Sequence, residues 1–267
     1  MKRRVLLKLS GEALAGEKHT GFDEPTVTKV AKQVKTLVDQ GIEVGIVIGG
    51  GNFWRGRSSE NIDRTKADQI GMLATVMNCI YVSEIFRSQG MMTAVLTPFP
   101  CGEFTKGFSK DRANKYFQHN MVVFFAGGTG HPYFSTDTAT VLRAIEIEAD
   151  EILLAKAVDG VYDSDPKTNP DAKKFDEISI QEVIEKDLKV VDMTASILCK
   201  ENKRLAGNGR IGVCGMVAGK CRQRTKSINV TQDVQPVKQI FSIFVPPLFN
   251  AHYLPELPEH GTFQQDI

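Results

Sequence analysis

The sequence lacks several features that would assign it to a class of protein at once. Its 267 residues include five cysteines, which are scattered, odd in number and without a CxxC pair. This pattern is typical of a reducing compartment and of neither a disulfide framework nor a zinc site. The basic start of the chain is followed by only three apolar residues, 5–7, too few for the core of a signal peptide. With no apolar run near the ~20 residues of a membrane span, we expect a cytoplasmic protein without a membrane partner.

Charge is also nearly absent as a signal, but it is unevenly distributed. The net charge of +1 neither favours nor excludes a polyanionic partner. Between residues 203 and 232 there are seven basic residues and no acidic one. Removing these seven charges from the total of +1 leaves −6 for the rest of the chain. The last quarter of the sequence therefore differs in composition from the remainder.

The common nucleotide-binding motifs occur only in incomplete form. Residues 207–212 spell GxGxxG, but a charged helical stretch precedes them where a dinucleotide site requires a strand. Residues 215–221 resemble a P-loop with one residue too few and with Cys221 in place of serine or threonine. We predict that neither segment binds a nucleotide.

Strand and helix patterns alternate over the first 202 residues. Apolar strand patterns cover 4–9, 43–48, 91–96, 121–125 and 151–155, and helical patterns cover 24–40, 67–89, 110–118, 137–148, 179–186 and 192–202. This alternation predicts an α/β fold with a mainly parallel open sheet and helices on both faces.

Polar clusters follow four of the predicted strands, at 8–11, 49–55, 127–137 and 159–165. Glycine loops let backbone N–H groups approach an anion, and Lys8 and Arg55 add positive charge. The third cluster precedes a helix whose N-terminus is a further anion site, and the fourth offers carboxylates. Ligands of such sheets bind at the C-terminal strand ends, so we expect the clusters to lie together. Taken singly, each has an ordinary structural explanation, but together they suit phosphoryl transfer.

Six segments carry a specific resemblance. They are KLSGEAL at 8–14, GGGN at 49–52 with Arg55 and Gly56, GMLATVMN at 71–78, GTGHPYFSTD at 128–137, EIEAD at 146–150 and VDGVY at 158–162. The chain resembles the bacterial uridylate (UMP) kinase branch of the amino-acid kinase family over about residues 4–202. The resemblance implies a three-layer αβα sandwich, ATP-dependent phosphorylation of UMP to UDP, and a requirement for Mg²⁺, whose protein ligands it leaves unassigned.

The resemblance also implies the binding residues. For ATP they are Lys8, Leu9, Ser10, Gly11, Gly51, Arg55, Tyr162 and Asp165, and for UMP they are Gly50, Asp68, Thr129, Gly130, His131, Pro132, Tyr133, Phe134, Ser135 and Thr136. It further implies a homohexamer, activation by GTP acting through residues 16–23, inhibition by UTP, and no nucleic-acid partner.

Catalytic roles follow from the charges of the implied substrates. The attacking oxygen belongs to the UMP phosphate, which is already anionic at pH 7, so no strong general base is needed. Lys8 and Arg55 would neutralise charge on the transferred γ-phosphoryl group. Asp137 would either orient these cations or bind substrate directly, and the sequence leaves that choice open.

The C-terminal part departs from the family after Asn202. We divide the chain into an amino-acid kinase domain, 1–202, and an atypical basic and proline-rich segment, 203–267, which is a diverged ending, a fusion or the product of a shifted reading frame. Alternating apolar residues at 210–217 and 239–245 allow at most one added strand. If the missing elements leave the ATP side incomplete, the protein is instead a catalytically impaired nucleotide-binding protein.

Overall fold

A computed structural model describes residues 2–54, 61–156, 160–166, 168–175, 177–188, 190–202, 210–217 and 220–229. The strands are β1 Arg4–Leu9, β2 Glu43–Ile48, β3 Thr93–Thr97, β4 Lys106–Gly107, β5 Val122–Phe125, β6 Glu151–Lys156, β7 Glu177–Ser179, β8 Arg210–Val217 and β9 Lys220–Asn229. The helices are α1 Gly11–Leu14, α2 Glu24–Asp39, α3 Arg64–Ser88, α4 Lys110–Gln118, α5 Thr136–Glu146, α6 Ile180–Glu185 and α7 Met193–Glu201, with a 3₁₀ turn at Gly16–Lys18. Every strand and helix predicted within the first 202 residues forms, with ends shifted by at most three residues.

The strands form one sheet in the order β4-β3-β5-β2-β1-β6-β8-β9-β7. In this spatial order, each of the first seven strands, from β4 across to β8, is parallel to its neighbour, and β9 is antiparallel to β8. The first strand is central: Lys8 is level with Val47 of β2 and with Leu154 of β6. The ends of these three strands therefore open onto the same edge of the sheet, and the expectation of a mainly parallel sheet is confirmed.

Alternate residues of β1 pack into two separate cores, one on each face of the sheet. Val5, Leu7 and Leu9 belong to the core covered by α2 and α3, whereas Leu6 belongs to the core covered by α4, α5, α6 and α7. The period of two in a strand sends successive side chains to opposite faces. The result is the three-layer αβα sandwich implied by the resemblance.

Helix α3 is long and apolar enough to cross a membrane by length and composition alone, with a mean hydropathy of 1.3 over its most apolar window. Polar residues interrupt this window, so a search for continuous apolar runs does not detect it. In the fold, α3 packs against β3 and α2 and contributes Val76, Val82 and Phe86 to a core. Part of its apolar surface is thus buried inside the domain.

The prediction of at most one added strand after Asn202 is wrong. Strand β8 pairs with β6 in parallel from Glu151↔Arg210 to Lys156↔Gly215, and β9 returns beside it in antiparallel. Charge composition was misleading because the basic residues of β9 recur at every second position, 220, 222, 224 and 226, which is the period of a strand. The segment 239–245 lies outside the described residues, and the division of the chain at Asn202 stays a prediction.

Candidate active site

A mostly buried ion pair lies where β1 ends and α5 begins. Lys8 Nζ is 3.0 Å from Asp137 Oδ1, and the two side chains are 12% and 18% exposed. Lys8 follows Leu6 by two residues and so shares its face of the sheet, where Leu6 packs with Val141 of α5. Strand period therefore carries Lys8 to the N-terminus of α5. Of the two roles left open for Asp137, this contact favours the orientation of a cation.

The N-terminus of α5 is capped and tied to α7. Ser135 Oγ accepts hydrogen bonds from Asp137 N at 3.0 Å and Thr138 N at 3.2 Å, and it donates to Asp192. Thr138 Oγ1 also donates to Asp192 at 2.9 Å, while Asp192 caps α7 by accepting from Ala195 N at 2.8 Å. Sequence reasoning missed Asp192, although an aspartate directly before an apolar helix is a standard cap signal.

A cavity of about 300 Å³ lies beside this junction, between the start of α5 and helices α6 and α7. Its polar lining includes Asp137, Asp187 and Asp192, and its apolar lining includes Val183 and Leu188. An apolar wall with a few acidic groups is a common composition for a small-molecule site.

The first glycine loop meets both neighbouring segments. A Cβ built on Gly49 would lie 3.6 Å from Thr136 Oγ1 and 3.7 Å from the backbone nitrogen of Gly11. A Cβ on Gly11 itself would overlap the carbonyl oxygen of Gly49, so only glycine fits there. Ser10 and Gly11, the loop at 49–51 and the start of α5 therefore converge, which brings together three of the four predicted clusters.

The second glycine loop is fixed to α3 through Asp68. The carboxylate of Asp68 accepts hydrogen bonds from Tyr133 N at 2.8 Å and from Arg64 Nε at 2.9 Å. Tyr133 adopts a left-handed φ of 71°, and the guanidinium of Arg64 lies 5.4 Å from the centre of its ring. Tyr133 and Phe134 are both exposed. The structure thus joins Asp68 to the segment 129–136, as expected for one binding surface.

The remaining predicted residues are less closely joined to the ion pair. Leu9 is buried in the core, so only its backbone is available to a ligand. Tyr162 and Asp165 follow β6 at the same edge of the sheet, and the backbone of Tyr162 forms an isolated antiparallel β-bridge with that of Lys174. Arg55, which was predicted as a second cation, lies outside the described residues.

Two buried thiols near the site are poor nucleophiles. Burial raises the pKa of Cys79 far above its usual range, and burial raises the pKa of Cys199 to about 12. Because the thiolate is the reactive form, both cysteines are structural at neutral pH.

Among the described residues there is also no group of three or more potential metal ligands.

Comparison with known proteins agrees with this geometry. The family model for the amino acid kinase family matches residues 3–206. The structure is similar to a UMP kinase from Bacillus anthracis, with a TM-score of 0.78, 34% identity, and 85% of this chain and 96% of that chain covered. A UMP kinase from Ureaplasma parvum gives 0.79 and 31%, with 86% and 99% covered. A uridylate kinase from Archaeoglobus fulgidus gives 0.63 and 26%, with 85% and 100% covered.

The covered share also bears on the C-terminal strands. Residues 1–202 make up less than the 85% of this chain that the Bacillus anthracis structure covers, so the match extends beyond Asn202. The sequence match, the layered sheet and the two glycine loops at one sheet edge lead to the same conclusion: the chain belongs to the amino acid kinase family.

Proposed function

We propose that this protein is a UMP kinase, which transfers the γ-phosphoryl group of ATP to UMP and releases UDP and ADP. The observation that carries the proposal is the Lys8–Asp137 ion pair at the meeting point of the first glycine loop and the N-terminus of α5. The identities of 34% and 31% to UMP kinases over nearly their whole length support UMP as the acceptor.

In this proposal the chain acts mainly by positioning and charge. An oxygen of the UMP phosphate attacks the γ-phosphorus, and the bond from that phosphorus to the bridging oxygen breaks, with the electron pair leaving on ADP. Lys8 neutralises charge on the transferred group, and Asp137 holds its ammonium in place. Backbone N–H groups of the glycine loop and of the capped α5 terminus stabilise phosphate oxygens. Arg55 supplies the second cation that the resemblance implies.

Magnesium fits this site as a partner of ATP. Mg²⁺ is usually held by phosphate oxygens, water and one or two carboxylates, so the absence of a larger ligand cluster among the described residues does not conflict with it. Asp137, which lines the cavity and faces Lys8, is the carboxylate that would hold it. Bound there, the ion would neutralise charge on the phosphates of ATP.

Asp68 supports a nucleoside acceptor. Its carboxylate is held by Tyr133 N and Arg64. A carboxylate repels a phosphate but accepts hydrogen bonds from hydroxyl or N–H groups, so the nucleoside end of UMP lies at Asp68 and its phosphate points toward the first glycine loop.

An ADP-release assay across UMP, CMP, aspartate, glutamate and carbamate tests the proposal. We expect turnover with UMP well above turnover with any other acceptor. Comparable efficiency with another acceptor would refute UMP specificity. Calorimetric binding of UMP without turnover would instead support the impaired nucleotide-binding protein. That alternative rests on the absence of the family's C-terminal elements on the ATP side, and in this chain β8 pairs with β6.

We also propose a cytoplasmic location and regulation by GTP and UTP. The segment to which the resemblance assigns the GTP response contacts the first glycine loop directly: Gly21 N and Thr20 Oγ1 both donate to the carbonyl oxygen of Asn52, at 3.2 and 3.0 Å. A ligand that moves this segment would therefore act on the phosphate-binding loop.

Self-association is supported by the outer face of α3. Four apolar side chains, Ile70, Leu73, Met77 and Ile80, are between 39% and 54% exposed. Their spacing is symmetric about residue 75, so an antiparallel pairing of two copies of α3 sets Ile70 against Ile80 and Leu73 against Met77. The same symmetry sets Lys66 against Glu84, which are opposite charges. A two-fold interface needs such a self-complementary surface, and we propose that dimers formed in this way build the homohexamer.

Charge changes on α3 are expected to control this assembly. The double variant Leu73→Glu, Met77→Glu sets like charges against each other and should reduce the particle mass measured by light scattering. The matched variant Leu73→Lys, Met77→Glu sets opposite charges together and should keep the mass of the unmodified protein better. If the doubly acidic variant retains its full mass and melting temperature, α3 is not the interface.

A further inference from the structure

We infer that two buried polar residues on the inner face of α3, Thr75 and Asn78, are positioning residues that fix the two glycine loops relative to each other. Thr75 holds the second glycine loop, which we assign to UMP, at Gly127, and Asn78 holds the first glycine loop, which we assign to the ATP phosphates, at Gly49. The assignment of the loops to substrates rests on the proposed function, whereas the contacts themselves do not.

Asn78 forms a closed amide pair with Asn52. Asn52 Nδ2 donates to Asn78 Oδ1 at 3.0 Å, and Asn78 Nδ2 donates back to Asn52 Oδ1 at 2.7 Å. The second N–H of each amide is used as well: Asn78 donates to the carbonyl oxygen of Gly49 at 2.7 Å, and Asn52 donates to that of Gly21 at 2.8 Å. All four amide N–H groups therefore bind, and the two carbonyl acceptors fix the orientation of both amides.

Thr75 makes the equivalent contact to the other loop. Its Oγ1 donates to Met72 O at 2.7 Å within the helix and accepts from Gly127 N at 2.8 Å. Gly127 has a φ of 78°, and a Cβ there would lie 2.7 Å from the ring of Phe99, so the loop has no room to shift toward β3. The Thr75 hydroxyl is thus a specific acceptor for a backbone group in a tightly packed turn.

Both contacts come from one rigid surface. Thr75 and Asn78 are three residues apart, which is less than one helical turn and a rise of about 4.5 Å. The same face also touches the first loop at Gly50, where a built Cβ would lie 2.9 Å from Gly71 O and 3.1 Å from Ala74 Cβ. Because one helix supports both loops, the distance between the donor and acceptor phosphates is set by the helix itself.

A filling role alone does not explain these residue types. Buried polar groups are costly unless every hydrogen bond is made, and apolar side chains would fill the same volume. Neither side chain forms all its hydrogen bonds within the helix, since each forms one with a backbone group of a loop. Transition-state stabilisation requires donors that are held in place before the reaction, and these contacts supply that restraint.

The test compares Thr75→Val with Asn78→Leu. The valine keeps the shape of threonine without its acceptor, and we expect KM for UMP to rise about tenfold, the scale of one lost hydrogen bond, with KM for ATP changed less than about twofold. The leucine removes the donor to Gly49, and we expect kcat to fall and KM for ATP to rise by about tenfold or more. Thr75→Ser should restore normal kinetics because it keeps the hydroxyl. Ser83→Ala serves as the control for loss of a buried hydroxyl on the same helix.

Amide hydrogen exchange gives a second readout that needs no turnover. Exchange should accelerate at Gly127 and its neighbours in Thr75→Val, and at residues 49–54 in Asn78→Leu. The inference would be overturned if each variant changed KM for UMP and KM for ATP equally, and if these changes only paralleled the drop in its melting temperature. If the unmodified protein does not phosphorylate UMP, the proposed function fails, and exchange alone decides: an unchanged pattern in Thr75→Val overturns the positioning role. The valine variant is the milder one and keeps the test open if Asn78→Leu does not fold.

Discussion

Replacement of Lys8 by alanine should lower kcat by on the order of 10²-fold or more, while KM for UMP changes far less. The ammonium of Lys8 is held 3.0 Å from Asp137 and is mostly shielded from water. A charge that is already in place when the phosphoryl group transfers stabilises the transition state far more than a charge that must first move into position. Losses of about 10²–10³ in rate are typical when one such group is removed. The resemblance alone predicts the same scale for Arg55→Ala.

Steady-state kinetics with saturating ATP and UMP measure this effect. Lys35→Ala is the control, because Lys35 forms an exposed ion pair with Asp39 on α2. Asp137→Asn should also lower kcat, since it removes the charge that orients the ammonium. A melting curve separates loss of catalysis from loss of folding. Near-normal kcat in Lys8→Ala would show that the ion pair is structural, even though the family assignment would stand.

Replacement of Gly11 by alanine is expected to lower kcat/KM for ATP by roughly 10²-fold or more. The added Cβ would overlap Gly49 O and lie 2.5 Å from Asn52 Oδ1. Both oxygens already accept hydrogen bonds from Asn78 Nδ2, so the turn at Ser10 and Gly11 and the first glycine loop must move apart. Misplacement of catalytic groups by about 1 Å can cost 10²-fold in rate, and overpacking typically costs about 1–3 kcal/mol of stability.

The matched control is Gly107→Ala on the edge strand β4. A Cβ there lies 3.3 Å from the end of the Arg112 side chain, which is exposed and can move. This variant should keep normal kinetics. If Gly11→Ala retains kcat/KM for ATP within about threefold, the loops are more adaptable than the packing indicates, and the close approach of Gly11 to Gly49 carries no catalytic role.

Regular periodicity made most of the fold predictable. The strand 4–9 is a nearly continuous apolar run and the helix 24–40 has apolar residues at a period near 3.6, and burial follows the run in β1 and the period in α2. Elements such as β4 and β7, with two and three residues, are too short to show a period. Their formation depends on neighbouring strands that no local pattern reports.

The candidate site was predictable only in part. Lys8 and Asp137 were identified by resemblance, since neither residue is distinctive by itself, and their contact depends on the spatial relation of β1 and α5. Thr75 and Asn78 lie in one of the six segments that carry the resemblance, but the match gives them no role of their own, and polar residues in an apolar helix are also common as satisfied core groups. Their partners are loop backbone atoms, which no side-chain pattern in the sequence reveals.

The order of the sheet also has a consequence for the nascent chain. Lys8, the proposed catalytic lysine, is made almost first, yet its strand is central, and the residues that surround it come from β2, α5 and the cap of α7 at Asp192. At about 5–20 residues per second, a ribosome needs roughly 10–40 s to reach Asp192. Strand β2, which pairs with one side of β1, follows it closely in the chain, whereas β6, which pairs with the other side, is made only at residues 151–156. Substrate therefore cannot assist the early stages of folding, because the complete pocket is among the last parts of the domain to be synthesised.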